Sequence, residues 1–152
     1  MVALRAASAD LSVDTLDDLD VGVKRLTTSD DYLSNSAPAS ARVHRYKTQD
    51  EALADLVLGR LDAVLGESVV LWEGFLSRPV GAPYTFVGPT LRDVQWFGEG
   101  IGVAVRPDDA ELLLRIDEAL RAMRLDGELL QLQQRHLRAV LLETADADGA
   151  RQ

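Results

Sequence analysis

The chain has 152 residues, enough for one domain whose core buries most of its apolar surface. Hydrophobic residues make up 47% and charged residues 27%, a composition typical of folded proteins and not of disordered ones. The net charge of −9 argues against nucleic acid or an anionic lipid surface as a partner, and the lack of cysteine excludes disulfides and thiolate metal sites.

No stretch approaches the roughly 20 consecutive apolar residues that span a bilayer, so we expect no direct insertion into a membrane. Residues 1–20 lack the basic start and apolar run of a secretory signal, and the expectation is that this chain carries no signal peptide.

Short β-branched runs alternate with helical stretches, a pattern that predicts an α/β layer with a partly parallel sheet. Met1–Arg5 is predicted to be extended and to lead into a polar loop. A strand follows at Asp20–Lys24. The hydroxyl and carboxyl side chains of residues 27–31 then indicate the start of a helix, because they accept hydrogen bonds from its unpaired N–H groups.

A second strand and helix are predicted at Arg42–Tyr46 and Asp50–Leu58, with Gly59 as the left-handed stop of the helix. The nearly continuous apolar run Leu61–Leu65 is typical of a buried strand. It ends at Gly66-Glu67, which places Glu67 at the carboxyl end of a strand.

The rest of the chain is predicted to begin with a helix at Ser68 and to continue with a strand at Tyr84–Val87 and a further strand ending at Arg106. Apolar residues at helical spacing from Leu112 to Met123 predict a long helix, and a last helix is predicted to reach His136.

Three segments in this order resemble extracellular solute-binding protein family 3, the polar and basic amino-acid-binding proteins of bacterial ABC importers. The first runs from Leu16 to Thr28, with Leu26 where the family usually has glycine. The second, Tyr46–Leu65, is similar to the family's helix-then-strand signature nearly in full. The third is Phe97–Asp109. The stretch Glu73–Pro89 resembles the members that bind lysine, arginine, ornithine or histidine.

The resemblance implies a periplasmic-binding-protein-like lobe, with a central mixed, partly parallel sheet flanked by helices. It also implies C-terminal helices that would pack on a first lobe, and we expect the chain to be truncated and to lack that N-terminal lobe. The predicted domains are residues 1–100 as the second lobe, 101–142 as a return hinge strand with C-terminal helices, and 143–152 as a flexible tail.

The resemblance also implies where an amino acid would bind. Thr27, Thr28 and Ser29 match the turn that holds the ligand's α-carboxylate, and helix-start N–H groups attract such an anion on general grounds. Glu67 matches the position where the family usually has an aspartate for the ligand's ammonium. Lys24 matches a position that lines the side-chain pocket in some members. The alternatives are helix capping for the hydroxyls and solvated surface charges for Glu67 and Lys24.

The function implied is the receptor component of an ABC uptake transporter, with an amino acid as ligand and an inner-membrane permease as partner. It implies a periplasmic or extracellular location, no catalysis and no cofactor. The exposed surface that would face the first lobe is a candidate for dimerisation. Three alternatives stay open: a cyclohexadienyl-dehydratase-like enzyme with Glu67 as its acid, a sensor module, and a truncated fragment that binds nothing.

Two histidines, His44 and His136, lie on different predicted elements without partners at metal spacing, so no metal site is predicted. We expect Trp72, Trp96 and Phe97 to serve in packing, because the family's ligand-stacking aromatics belong to the first lobe.

Overall fold

The computed structural model describes residues 1–4, 11–98 and 100–137. It divides the chain into two compact units, Met1–Gly98 (unit 1) and Glu99–Gln152 (unit 2). The predicted loop after Met1–Arg5, the end of the predicted segment 101–142 and the predicted tail 143–152 lie outside the described residues.

Unit 1 is built on a mixed five-stranded sheet in the order β3-β2-β4-β1-β5. The strands are β1 (Val2–Leu4), β2 (Asp20–Lys24), β3 (Arg42–Tyr46), β4 (Ala63–Leu65) and β5 (Tyr84–Phe86). β2 runs parallel to β3 and β4, whereas β1 is antiparallel to β4 and β5. The predicted α/β class with a mixed, partly parallel sheet is confirmed.

Helices connect the parallel strands across this sheet. Those of unit 1 are α1 (Thr28–Ser36), α2 (Gln49–Val57), α3 (Ser68–Leu71) and α4 (Val94–Phe97). The connection through α1 leads from β2 to β3 on one side, and the connection through α2 returns past β2 to β4 on the other. The strand order therefore reverses at β2, and in open α/β sheets ligands bind outside the carboxyl ends of the strands at such a reversal.

Local chemistry explains where the first two helices begin. Thr27 caps α1 by accepting the Asp30 N–H. Thr48 and Glu51 form a reciprocal capping box at the start of α2, in which each side chain binds the other's backbone N–H. Both helices therefore start directly after the carboxyl end of a parallel strand.

Two apolar clusters lie on the two faces of the sheet. The first packs α1, through Leu33, against Val21, Val23 and Leu65. The second packs α2 and the segment after α3 against Val64; its buried members are Ala52, Leu53, Leu56, Leu61, Val64, Leu71, Phe75 and Tyr84. Burial of an aliphatic or aromatic side chain stabilises a fold by about 1.5–3 kcal/mol, so these clusters hold the strand ends in place.

An ionic cluster lies at the amino ends of β2 and β3, opposite the ligand-binding edge expected from the strand order. The Arg42 guanidinium donates to Asp20 at 2.9 and 2.7 Å, and His44 Nε2 lies 2.7 Å from the same carboxylate. These hydrogen bonds, Arg42 first, hold the pKa of Asp20 well below its ordinary value. The Asp62 carboxylate accepts the Asp20 N–H at 2.8 Å, which links the start of β2 to the segment before β4.

The aromatic residues of unit 1 pack as predicted. Trp96 and Phe97 surround Tyr32 of α1 with ring centroids 6.2 and 5.2 Å away, and Trp72 stacks on Phe86 at 6.5 Å. Trp72–Leu76 continues α3 as a π-helical turn, which the sequence pattern did not indicate.

Unit 2 contains α5 (Ala110–Leu125) and α6 (Glu128–His136), which contact each other. The predicted strand ending at Arg106 is wrong: residues 101–106 pair with no described strand, and an alternating pattern does not form a strand without a hydrogen-bonding neighbour. No described residue of unit 2 is buried. Across the described part of the chain, no helix is long and apolar enough to cross a membrane.

Candidate functional site

The carboxyl ends of the three parallel strands lie at one edge of the sheet. Val23 of β2 is opposite Leu65 of β4, and Lys24 is opposite Tyr46 of β3. The segments that follow these residues therefore leave the sheet side by side. This arrangement brings the predicted site residues of two chain segments, Lys24 with residues 27–29 and Glu67, to the same edge.

The turn from β2 into α1 presents backbone donors. Thr27 is partly a structural residue, because its hydroxyl donates to the Lys24 carbonyl at 2.7 Å and accepts the Asp30 N–H at 3.3 Å. In contrast, the N–H groups of Thr27, Thr28 and Ser29 donate to no described residue. Thr28 is exposed and Ser29 is buried. Helix-start N–H groups carry partial positive charge, so this turn can accept a small anion.

Asp30 holds the turn in its shape. Its buried carboxylate accepts the Leu26 N–H at 3.1 Å through one oxygen and the Arg45 Nε–H at 2.7 Å through the other. Arg45 also donates to the Ser34 hydroxyl at 2.7 Å, and that hydroxyl donates to the Asp30 carbonyl. The network links the turn, α1 and β3 into one hydrogen-bonded unit.

Within this turn, the backbone of Leu26 is strained. Its φ is +60°, in the left-handed region that glycine adopts freely, and its side chain is 90% exposed. The departure noted in the sequence, leucine where glycine is usual, therefore falls on a residue whose conformation favours glycine.

Glu67 lies one residue beyond the carboxyl end of β4, at the start of α3. Its backbone carbonyl accepts the Leu71 N–H at 3.0 Å, but its side chain is exposed, does not cap the helix, and makes no hydrogen bond or ion pair with a described residue. The Lys24 side chain is likewise exposed and pairs with none of the described side chains. Both side chains are available to a ligand, and neither is committed to the fold.

Two residues that the sequence patterns did not single out also lie at this edge. Gln49, the first residue of α2, packs its amide directly against Gly66, where a Cβ atom would lie only 2.9 Å from the amide oxygen. In the sequence, only their positions could have identified them. Gln49 directly precedes the predicted helix Asp50–Leu58, and Gly66 directly follows the predicted strand Leu61–Leu65.

The described residues contain no group of three or more His, Asp or Glu side chains placed to hold a metal ion. The groups that this edge offers to a ligand are the N–H groups and hydroxyls at the start of α1, the Glu67 carboxylate and the Lys24 ammonium.

Comparisons with known proteins identify relatives that bind amino acids. The chain is 47% identical to the L-arginine-binding protein of Pseudomonas aeruginosa over 116 residues, which are 76% of this chain and 45% of that protein. It is 36% identical to the lysine/arginine/ornithine-binding periplasmic protein of Escherichia coli over 128 residues, 84% of this chain and 49% of that protein. No profile of a known protein family matches the chain.

A solved structure of an ancestral arginine-binding protein bound to arginine matches with a TM-score of 0.68 at 28% identity, over 90% of this chain and 58% of that one. The chain thus spans about half the length of the curated relatives it matches. These relatives are binding proteins, which supports the binding interpretation over the dehydratase alternative. By sequence and by fold, the chain is a homologue of arginine-, lysine/arginine/ornithine- and histidine-binding proteins over about half of their length.

Proposed function

We propose that this chain contributes the amino-acid site of a receptor for an ABC uptake transporter, with a basic or polar amino acid as its ligand. The observation that carries the proposal is that two groups lie at the same edge of the sheet. One is the set of N–H groups of residues 27–29, which donate to no described residue, and the other is the Glu67 carboxylate, which binds no described residue. The two groups complement the two charges of an amino-acid zwitterion.

The chemistry assigns each end of the ligand. The α-carboxylate binds at the start of α1, where N–H groups and the Thr28 hydroxyl donate to it. The α-ammonium binds Glu67 through charge-assisted hydrogen bonds. Lys24 lines the part of the site next to β2. The names of relatives that bind arginine, lysine, ornithine and histidine support a basic side chain on the ligand.

The same relatives support the transport context. Several are named as periplasmic proteins, and two are named as ABC transporter arginine-binding proteins, one of them as putative. We therefore place this chain in the periplasm and give it an inner-membrane permease as its partner. The chain acts by binding and presenting the amino acid, and no catalytic step is part of the proposal.

The first prediction tests the site by thermal unfolding of the full chain with L-arginine, L-lysine, L-histidine and uncharged amino acids at millimolar concentration. Binding to the folded state raises Tm, with a stabilisation of about 2.7 kcal/mol when the ligand is a hundredfold above its Kd. We expect a basic amino acid to give the largest rise, and Glu67→Gln to remove most of it.

Glu73→Gln is the matched control, because Glu73 is also exposed and in unit 1 but lies on the π-helical turn. It should keep the full ligand-induced rise. No rise with any amino acid would contradict the proposal and favour a partial chain that does not bind alone.

A second part of the proposal is self-association through α5. This helix has no buried residue, and Leu113, Ile116 and Leu120 form an apolar stripe along it. Apolar faces of this kind are covered in stable assemblies, and here a second copy of the chain is the proposed cover.

We expect sedimentation velocity to show a concentration-dependent dimer that Leu113→Glu shifts to monomer, because a carboxylate on the stripe would be buried without a partner. Leu114→Glu is the matched control, since Leu114 lies off the stripe and is 64% exposed. A monomer at all concentrations would contradict dimerisation.

A further inference from the structure

A groove lies on the surface of unit 1 between α2 and the π-helical turn Trp72–Leu76. Its volume is about 430 Å³, and its lining includes Asp50, Leu53, Leu58, Gly74, Phe75 and Val80. Leu53 and Phe75 are buried, whereas Leu58 and Val80 are 63% and 49% exposed. A concave, mainly apolar surface with a few polar groups is the usual form of a binding site.

Gly74 keeps this groove open. A Cβ atom on Gly74 would meet nothing within 4 Å beyond its chain neighbours and the backbone of its own helix, and its φ is not positive. The fold therefore does not require glycine here, although glycine inside a helix is less stable than alanine. The π-helical turn that contains Gly74 is also a kind of element found frequently at functional sites. Both observations indicate that the open space serves an occupant.

The charge beside the groove favours a cationic partner. Among the lining residues, Asp50 alone is charged, and its exposed carboxylate binds no described residue. Glu73, directly before Gly74, is also exposed, and its carboxylate likewise binds no described residue. Because charges across an interface are arranged to be complementary, this groove fits an apolar side chain that lies next to a lysine or arginine.

The location of the groove fits a membrane permease as the source of that side chain. Asp50 lies in the first turn of α2, which begins at the carboxyl end of β3, so one end of the groove is at the proposed amino-acid-binding edge. Membrane proteins are enriched in tryptophan and tyrosine at the membrane surface, and their lysine and arginine side chains extend to the same level. A permease therefore presents aromatic side chains beside cations to a protein that approaches the membrane.

We propose that this groove docks a segment of the permease in which a tryptophan or tyrosine side chain lies next to a lysine or arginine. The inference rests on the proposed function. The aromatic ring packs on Leu53 and Phe75 in the space beside Gly74, and the cation pairs with Asp50. The apolar contact supplies most of the affinity, since an exposed ion pair adds little.

The test is photo-crosslinking in cells of the organism that produces the protein, with p-benzoylphenylalanine at position 58 of the full chain. Leu58 is exposed, so the probe lies at the rim and leaves the groove open. We expect crosslinks to a transmembrane permease subunit, identified by mass spectrometry. Val94 is the matched control position, because it is 59% exposed and lies on α4, away from the groove, and it should give no such product.

Two substitutions test the groove itself. Gly74→Leu fills the open space and should reduce the permease crosslink about tenfold, because the aromatic ring loses its place. Its Tm and its L-arginine-induced rise in Tm should stay unchanged, since no neighbour is displaced. Asp50→Asn should reduce the crosslink about threefold, as for an exposed ion pair. Asp31→Asn, which removes an exposed acid from the first turn of α1, should not reduce it.

Crosslinks from position 58 to a second copy of this chain, to a soluble protein or to no protein would overturn the inference. An undiminished permease crosslink in Gly74→Leu would overturn it as well. If the unaltered chain binds no amino acid in the thermal assay, the proposed function fails and this inference fails with it. If the chain binds an amino acid but position 58 gives no permease crosslink, only this inference fails.

Discussion

Replacing Asp30 by alanine is expected to lower the free energy of unfolding by about 2 kcal/mol and to weaken amino-acid binding. The Asp30 carboxylate is buried and accepts from both Leu26 and Arg45, and hydrogen bonds to charged groups contribute about 1.5–3 kcal/mol. Arg45 is half-exposed and can turn to water, which keeps the expected loss near the lower end. Urea denaturation followed by tryptophan fluorescence measures the stability.

Binding should suffer separately from stability in this variant. The Asp30 carboxylate is the acceptor that holds the Leu26 N–H, and without it the turn that presents the donors of residues 27–29 loses its fixed shape. The ligand-induced rise in Tm should therefore shrink as well as the starting Tm.

Asp31→Ala is the control for this prediction. Asp31 is the next residue in the first turn of α1, but it is exposed, and its hydrogen bonds to described residues are made by its backbone, with Thr27 and Asn35, and not by its carboxylate. Its loss removes only a favourable interaction with the helix dipole, about 0.3–1 kcal/mol. Equal effects of the two variants on stability and binding would show that the Asp30 network does not shape the turn.

Local chemistry made most of the fold predictable. The strands Asp20–Lys24 and Arg42–Tyr46 have their predicted bounds, and α2 begins one residue earlier than predicted, at Gln49. These elements are bounded by caps and turn residues, whose effect depends only on near neighbours in sequence. The π-helical turn after α3 and the unpaired segment 101–106 depend on tertiary surroundings, which periodicity does not report.

The candidate site was predictable to a smaller extent for the same reason. The positions of Thr27 and Glu67 at strand ends followed from strand prediction together with family resemblance. The partners that shape the site come from distant parts of the chain: Arg45 reaches Asp30 from 15 residues away, and Gln49 reaches Gly66 across an intervening strand. A sequence pattern identifies candidate donors and acceptors, but the crossover connections decide which of them meet.

Leu26→Gly is expected to raise the stability of the chain. A non-glycine residue in the left-handed region costs about 1–2 kcal/mol, and Leu26 adopts φ +60° with a side chain that is 90% exposed and so recovers little by burial. Glycine costs about 0.5–1 kcal/mol in greater freedom of the unfolded chain, so the net gain should be close to 1 kcal/mol. The urea midpoint should rise without a change in the slope of the transition.

Asp18 provides an internal comparison for this prediction. It also has a positive φ, +59°, but aspartate tolerates the left-handed region better than leucine, so Asp18→Gly should gain less or nothing. A fall in stability on Leu26→Gly would mean that the leucine side chain makes stabilising contacts that outweigh its backbone strain. A rise in stability with unchanged L-arginine binding would show that the leucine side chain is not needed for the binding shape of the turn, since glycine keeps the backbone N–H that donates to Asp30.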